Sequence, residues 1–210
     1  MKITVIGAGN MGSAFVKQLT AAGHTVSVTA RNLDKAKAVA AAHPGAIAVV
    51  TDNAAADADV VVLATGYADA VTALHSVGPL TGKVVIDITN PLTADYMGLT
   101  IGHTTSAAEE IAKAVPDAKV VKGFNTVFAQ VLAAGADFGS GHKVSVFLAA
   151  DDASAKTSAK TLTESMGFET IDAGGLKNAR YLEPLAGLNI YLGYGAGLGT
   201  GIAPTFIRKT

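Results

Sequence analysis

Short apolar runs alternate along the chain with longer segments whose apolar residues recur at helical spacing. Ile3–Ile6, Thr25–Thr29, Ile47–Val50 and Lys119–Lys122 have strand length and are rich in β-branched residues. Asp59–Ala64 and Lys83–Ile88 are apolar almost throughout, as parallel strands buried on both faces should be. Between them Met11, Phe15 and Leu19 mark a helix that closes at Gly23, and Leu33–Ala42 reads as a helix stopped by Pro44-Gly45. Helices are also predicted over Ala68–Ser76 and Ala107–Ala114, with a short helical turn after the third strand. A strand over Val144–Ala149, a helix over Ala153–Met166 ended by Gly167, and a short strand over Glu169–Asp172 follow. This alternation predicts an α/β fold, a doubly wound and mostly parallel sheet, in which ligands bind outside the carboxyl ends of the strands.

The pattern changes after Asp172. From Pro184 to Ile207 there is no charged residue, but the stretch is rich in glycine and interrupted by Asn189 and Pro204, so a buried or partner-facing helix is expected and not a membrane span. Residues 1–172 are therefore read as one nucleotide-binding domain, and residues 173–210 as a short helical segment that completes its site. Gly187, Gly193, Gly197 and Gly201 fall at intervals compatible with a helical face of small residues. Leu185, Leu188, Ile190, Leu192 and Leu198 offer apolar area beside it, so a homodimer is expected, the alternative being that the segment packs back on its own sheet.

Composition narrows the function. A net charge of -1 over 210 residues gives no footprint for nucleic acid or an anionic membrane surface. The absence of cysteine excludes disulfides, thiol catalysis and Cys-ligated zinc, and no metal site is expected. Met1 leads straight into a strand without a signal-peptide pattern, so a cytoplasmic location is expected.

The chemistry is concentrated at strand ends. Gly7-Ala8-Gly9-Asn10-Met11-Gly12 is a G-x-G-x-x-G run that follows the first strand and opens the first helix. Gly7 permits the turn, Gly9 leaves the backbone open to a pyrophosphate, and Gly12 lets helix and strand approach. The helix start can hold a diphosphate without a cationic side chain. At the end of the second strand, where NAD enzymes place a carboxylate on the ribose, this chain has Ala30, followed by Arg31 and Asn32, with Lys35 in reach. The missing acid and the added base favour NADP over NAD.

Thr65-Gly66-Tyr67, Thr89-Asn90-Pro91 and Gly123-Phe124-Asn125-Thr126 follow later strands and are expected to face the nicotinamide. Acid-base candidates are thin. His24, His43 and His75 read as surface or capping residues, and His103 and His142 lie in loops without a patterned carboxylate. Lys122 and Asn125 do not reproduce the helical Lys and Asn pair of hydroxyacid dehydrogenases. Hydride transfer between two stacked rings needs no such donor, because near-attack positioning is the main contribution.

These motifs, with Thr89-Asn90-Pro91-Leu92, the run from Ser106 through Val115-Pro116 to Thr126, and Asp172 to Leu185, give a chain that resembles the NADPH-dependent coenzyme F420 reductases over nearly its whole length. It is similar also to the cytosolic oxidoreductase domain of the six-transmembrane ferric reductases. The resemblance implies that Ala8 to Met11 contact the pyrophosphate, that Ala30, Arg31 and Lys35 contact the 2′-phosphate, and that Thr65, Thr89 and Ala129 contact the nicotinamide half. It implies that Asn125 and Leu176 line the pocket of the second ring, with Asn125 standing where archaeal deazaflavin enzymes carry histidine. The function implied is hydride transfer between NADP(H) and coenzyme F420 or a flavin. The alternatives are an NADPH-dependent reductase of a small imine or carbonyl compound, and a non-catalytic NADP(H)-sensing module.

Overall fold

A computed structural model of the chain describes residues 1–139, 141–206 and 209. Its main sheet has six parallel strands, β1 Lys2–Ile6, β2 Thr25–Thr29, β3 Ala46–Ala48, β4 Val60–Leu63, β5 Val84–Asp87 and β6 Lys119–Lys122, in the order β3-β2-β1-β4-β5-β6. Strands β7 Ser145–Leu148 and β8 Glu169–Asp172 pair in parallel and meet β6 through an antiparallel bridge between Lys122 and Ala149. Around these strands lie α1 Asn10–Ala21, α2 Leu33–Ala42, α3 Ala70–His75, α4 Ala107–Ala114, α5 Ala129–Ala134, α6 Ala153–Ser165 and α7 Ala179–Ile190. The doubly wound α/β architecture is the one the alternation predicts.

Strand residues divide between the two faces with a period of two, which is why β4 is apolar throughout and β5 apolar up to Asp87. Val60 and Val62 pack with Phe15, Leu19 and Leu162 on one face, while Val61 and Leu63 pack with Leu74 and Ile111 on the other. β1 lies between β2 and β4, Ile6 standing opposite Thr29 on one side and Leu63 on the other. The chain winds from β1 outward to β3 and then restarts at β4 on the other side. The reversal opens a crevice directly above Ile6, where the glycine loop begins.

Several local expectations are corrected. The third strand is Ala46–Ala48 and not Ile47–Val50: the Val49 N–H still donates to the Val28 carbonyl, but Val50 is exposed and its chain turns away. The helical turn expected after it is a series of turns over 52–57. The helix predicted over Ala68–Ser76 is a 3₁₀ turn, Tyr67–Asp69, running into α3. Helix α5 has no counterpart among the predicted elements, because six residues after Phe128 are too few for a periodic signal.

The tail differs most. Helix α7 passes through a π-helical turn over Tyr191–Gly195 and ends there, and Gly197 and Gly199 adopt φ of +75° and +78°, conformations that leave the helix. The four-glycine helical stripe therefore does not form beyond Gly195. Gly193 has a packing role instead, since a Cβ there would lie 2.8 Å from the Phe128 ring. The tail packs on its own chain through Leu176 and Ala179, and through Leu182 against Phe147 and Ala149. Among the described residues no helix is long and apolar enough to cross a membrane.

Candidate active site

The glycine loop separates two cavities. Helix α1 is preceded in the N-cap position by Gly9, whose extended backbone carries no side-chain cap, and no acidic residue occupies the first turn. Its leading N–H groups and positive dipole end therefore lie open to an anion. Close packing holds the loop in place. A Cβ on Gly7 would lie 2.2 Å from the Ala64 carbonyl oxygen, and one on Gly12 would lie 1.9 Å from the Gly7 carbonyl oxygen. At Gly9 a Cβ would meet nothing within 4 Å, so its space is open on the side where a phosphate would approach.

The first cavity, about 480 Å³, lies over the ends of β1, β2 and β4 and is lined by Gly7, Ala8, Gly9, Ala30, Arg31, Asn32, Lys35, Thr65 and Gly66. The structure thus gathers the glycine loop and the expected phosphate-binding cations around one space. Asn32 also caps α2, its Oδ1 accepting from the N–H groups of Asp34 and Lys35. Thr65 stands in this cavity beside Arg31 and not in the one that holds Asn125.

The second cavity, about 540 Å³, starts from Asn10 and Met11 and runs beneath Asn90, Asn125 and Ala129 to Ala186, Asn189 and Tyr194 of the tail. Phe128, Tyr96 and Tyr194 supply aromatic surface. Phe124 has φ of +59°, a conformation costing a non-glycine residue about 1–2 kcal/mol. The turn drives its ring into the core against Phe15 and Phe168 and leaves Asn125 at the cavity wall. At the rim, hydrogen bonds from the Thr93 hydroxyl and the Met97 N–H hold the Asp95 carboxyl below the usual range.

Asn125 is clamped. Its Nδ2 donates to Asn90 Oδ1 at 3.0 Å and to the Leu182 carbonyl at 2.8 Å, while Asn90 Nδ2 donates to the Asn125 carbonyl at 2.9 Å. These bonds fix the amide orientation and leave Asn125 Oδ1 buried without a partner. Thr89 Oγ1 is likewise buried and unpartnered, although Thr89 lines neither cavity. Of the two, only Asn125 belongs to a residue that lines a cavity, and its orphaned acceptor beside the aromatic side chains fits a polar ring system as the missing partner. Leu176 does not fit its expected role: it is buried in the core where its turn packs on β6 and α4, and it lines neither cavity.

Under the second cavity lies a buried ionic cluster that sequence reasoning missed. Lys122 Nζ bonds Asp87 Oδ2 at 2.8 Å, Glu183 Oε1 at 2.9 Å and the Thr89 carbonyl at 2.5 Å, and all three charged side chains are at most 1% exposed. Asp87 Oδ1 accepts from the Thr89 N–H, and Glu183 accepts from the N–H groups of Ala107 and Ala108 at the start of α4. The Thr89 peptide is thus gripped at both its N–H and its carbonyl. Burial, and then the carboxylates of Glu110, Glu183 and Asp87, push the nearby Tyr67 phenol upward and keep it protonated. The signal in the sequence was a charge set inside each of three apolar runs, at Asp87, Lys122 and Glu183.

The fold, the switch-point crevice and the uncapped glycine helix define a dinucleotide-binding protein of the doubly wound class. Comparison with known proteins agrees. Residues 2–91 match the family model described as NADP oxidoreductase, coenzyme F420-dependent. The chain is 31% identical to the F420-dependent NADP reductase of Methanothermobacter marburgensis, covering 91% of this chain and 92% of that one. A solved structure from Arthrobacter sp. FB24, named as a candidate F420-dependent NADP reductase, superposes with a TM-score of 0.88 at 32% identity and covers 99% of this chain and all of its own. Metalloreductase STEAP3 of Rattus norvegicus is 28% identical over 88% of this chain, which spans only 36% of that protein. The chain belongs to the F420-dependent NADP reductase family and is an NADP-dependent oxidoreductase.

Proposed function

We propose that the protein transfers a hydride between NADP(H) and a flat ring acceptor, a deazaflavin or a flavin, seated in the second cavity. The observation that carries this reading is the pair of cavities that meet at the glycine loop, one flanked by cations and the other walled by aromatic rings. When bound, NADP(H) would supply or accept the hydride. The N–H groups from Ala8 to Met11 and the start of α1 hold the pyrophosphate, with Gly7 and Gly12 setting the loop and Gly9 leaving room. Arg31 and Lys35, beside Ala30 and Asn32, pair with the 2′-phosphate. Thr65, Asn90 and Ala129 position the nicotinamide half, and Thr89, which lines neither cavity, acts through its neighbour Asn90. Asn125, held by Asn90 and Leu182, offers Oδ1 to an N–H of a bound ring. The aromatic wall and the loop over Asp95–Met97 keep water from the facing rings, so positioning supplies most of the rate.

The reading is tested by following NADPH oxidation with coenzyme F420, FMN, FAD with ferric chelates, and small imines or ketones, with the protein in substrate amounts so that a single turnover is visible. Oxidation with a ring acceptor is expected. Turnover with a carbonyl or imine alone points to a small-molecule reductase, and oxidation by none of them to a sensing module. In parallel, NADPH binds more tightly than NADH, and Arg31→Ala weakens NADPH about tenfold, the worth of one charge-assisted phosphate contact. Equal affinities for the two cofactors would remove Arg31 from the 2′-phosphate site.

The homodimer belongs to the same proposal. Tyr181 and Leu188 on α7 and Tyr191 at the start of the π-helical turn have 74%, 54% and 52% of their surface exposed, and Leu198 beyond it is 61% exposed. An apolar face of this kind on a helix whose other side lines the acceptor cavity suits a second copy of the chain. Light scattering at micromolar concentration should give a dimer. Leu188→Glu with Tyr191→Glu should give a monomer that still binds NADPH, and a monomeric wild type would sink this part.

A further inference from the structure

We infer that Asp69 is a specificity-determining residue that holds Arg31 away from the 2′-phosphate, so that the protein favours NADPH less strongly than its cationic pocket would permit. The inference rests on the NADP reading above and extends it to a residue that reading does not use. Arg31 and Asp69 line the same cavity from opposite walls, one after β2 and the other at the start of α3. They are joined fork to fork, Nη1 to Oδ1 at 3.3 Å and Nη2 to Oδ2 at 3.1 Å. This is the face of a guanidinium that a phosphomonoester takes in bidentate pairing. A 2′-phosphate must therefore either displace the carboxylate or accept a less favourable approach with a like charge beside it.

Asp69 ends the 3₁₀ turn that runs into α3, so its backbone is already helical and its side chain makes no capping bond. Its carboxylate is joined to Arg31 across the cavity. NAD-binding folds place a carboxylate at the position held here by Ala30, and Asp69 is the carboxylate that lines this cavity instead. NADH, with a ribose hydroxyl in place of the phosphate, leaves the Arg31–Asp69 pair closed, whereas NADPH must open it. The pair is well solvated, with side-chain exposures of 87% and 48%, which limits the size of the effect. Releasing it is expected to change the dissociation constant by about two- to fivefold, the range measured for exposed ion pairs.

The test is Asp69→Asn, which keeps the shape of the side chain, with dissociation constants for NADPH and NADH measured on the full chain by fluorescence titration. NADPH should bind about two- to fivefold more tightly than to wild type, with NADH unchanged, so the preference ratio rises by the same factor. In the Arg31→Ala background the gain from Asp69→Asn should shrink, because only the like-charge repulsion remains to be relieved. An Asp69→Asn variant that binds NADPH no better than wild type, or less well, overturns the inference. The latter result would mean that Asp69 orients Arg31 for the phosphate. The parent reading fails separately: it falls if wild type shows no preference and Arg31→Ala has no effect. Even then, tighter NADPH binding by Asp69→Asn supports the latch, and unchanged binding overturns it.

Discussion

Lys122→Met is expected to lower the stability of the fold by about 3–5 kcal/mol, the cost of leaving buried carboxylates without their cation. The total for a domain of this kind is about 5–15 kcal/mol, so the loss is a large fraction of it. The ammonium is the cation that Asp87 and Glu183 share, at 2.8 and 2.9 Å. Asp87 keeps the Thr89 N–H and Glu183 keeps two N–H groups at the start of α4, so neither loses every partner. What they lose is charge compensation, and the α4 dipole end offsets only part of it. Urea unfolding of wild type and variant checks this, a lowered midpoint at unchanged slope being the expected result. A loss under about 1 kcal/mol would mean that the ammonium does not compensate the two carboxylates. Adding Glu183→Gln should recover part of the loss, because one carboxylate then remains. The Thr89 peptide hangs from this cluster, so the variant is also expected to lose hydride transfer more steeply than NADPH binding.

The second large effect separates the two roles of the glycine loop. Gly12→Ala places a Cβ 1.9 Å from the Gly7 carbonyl oxygen, a backbone atom that cannot move aside without carrying the loop with it. It is expected to cost about 1–3 kcal/mol of stability and to disable the loop as well. Gly9→Ala should behave differently. Its φ of -85° suits any residue and its Cβ would meet nothing, so unfolding should stay within about 0.5 kcal/mol of wild type. Cofactor binding should nevertheless fall about tenfold or more, because the methyl group fills the approach of the phosphate and breaks charge-assisted hydrogen bonds. Thermal unfolding and NADPH titration of both variants distinguish the cases. If Gly9→Ala binds NADPH as wild type does, the pyrophosphate does not lie on this loop.

The sheet was legible because burial acts on it residue by residue. Strands over Thr25–Thr29, Lys119–Lys122 and Glu169–Asp172 and helices over Leu33–Ala42 and Ala107–Ala114 stand where periodicity and capping residues put them. The phosphate-side group of Gly7, Ala8, Gly9, Arg31 and Lys35 was legible for a related reason: motif and strand end are adjacent in sequence, and the fold class fixes where strand ends meet. Short elements escaped. Helix α5 has six residues, and the tail helix stops at Gly195 where composition alone would carry it on.

Taken by itself, the sequence determined the alternation of elements, the switch-point crevice and the glycine loop, because each depends on local pattern and on one face being buried. Tertiary structure alone decided the rest. That Asn125 faces a cavity while Leu176 does not depends on the turn at Phe124 and on how the tail crosses the sheet. That Asp87, Lys122 and Glu183 form one cluster depends on two neighbouring strands and a helix whose residues lie 35 or more positions apart. That Arg31 is held by Asp69 depends on the width of the crevice between β2 and α3. Side-chain pairing across such separations is set by packing geometry, in which a displacement of an ångström makes or breaks a bond, and no periodicity along the chain encodes it.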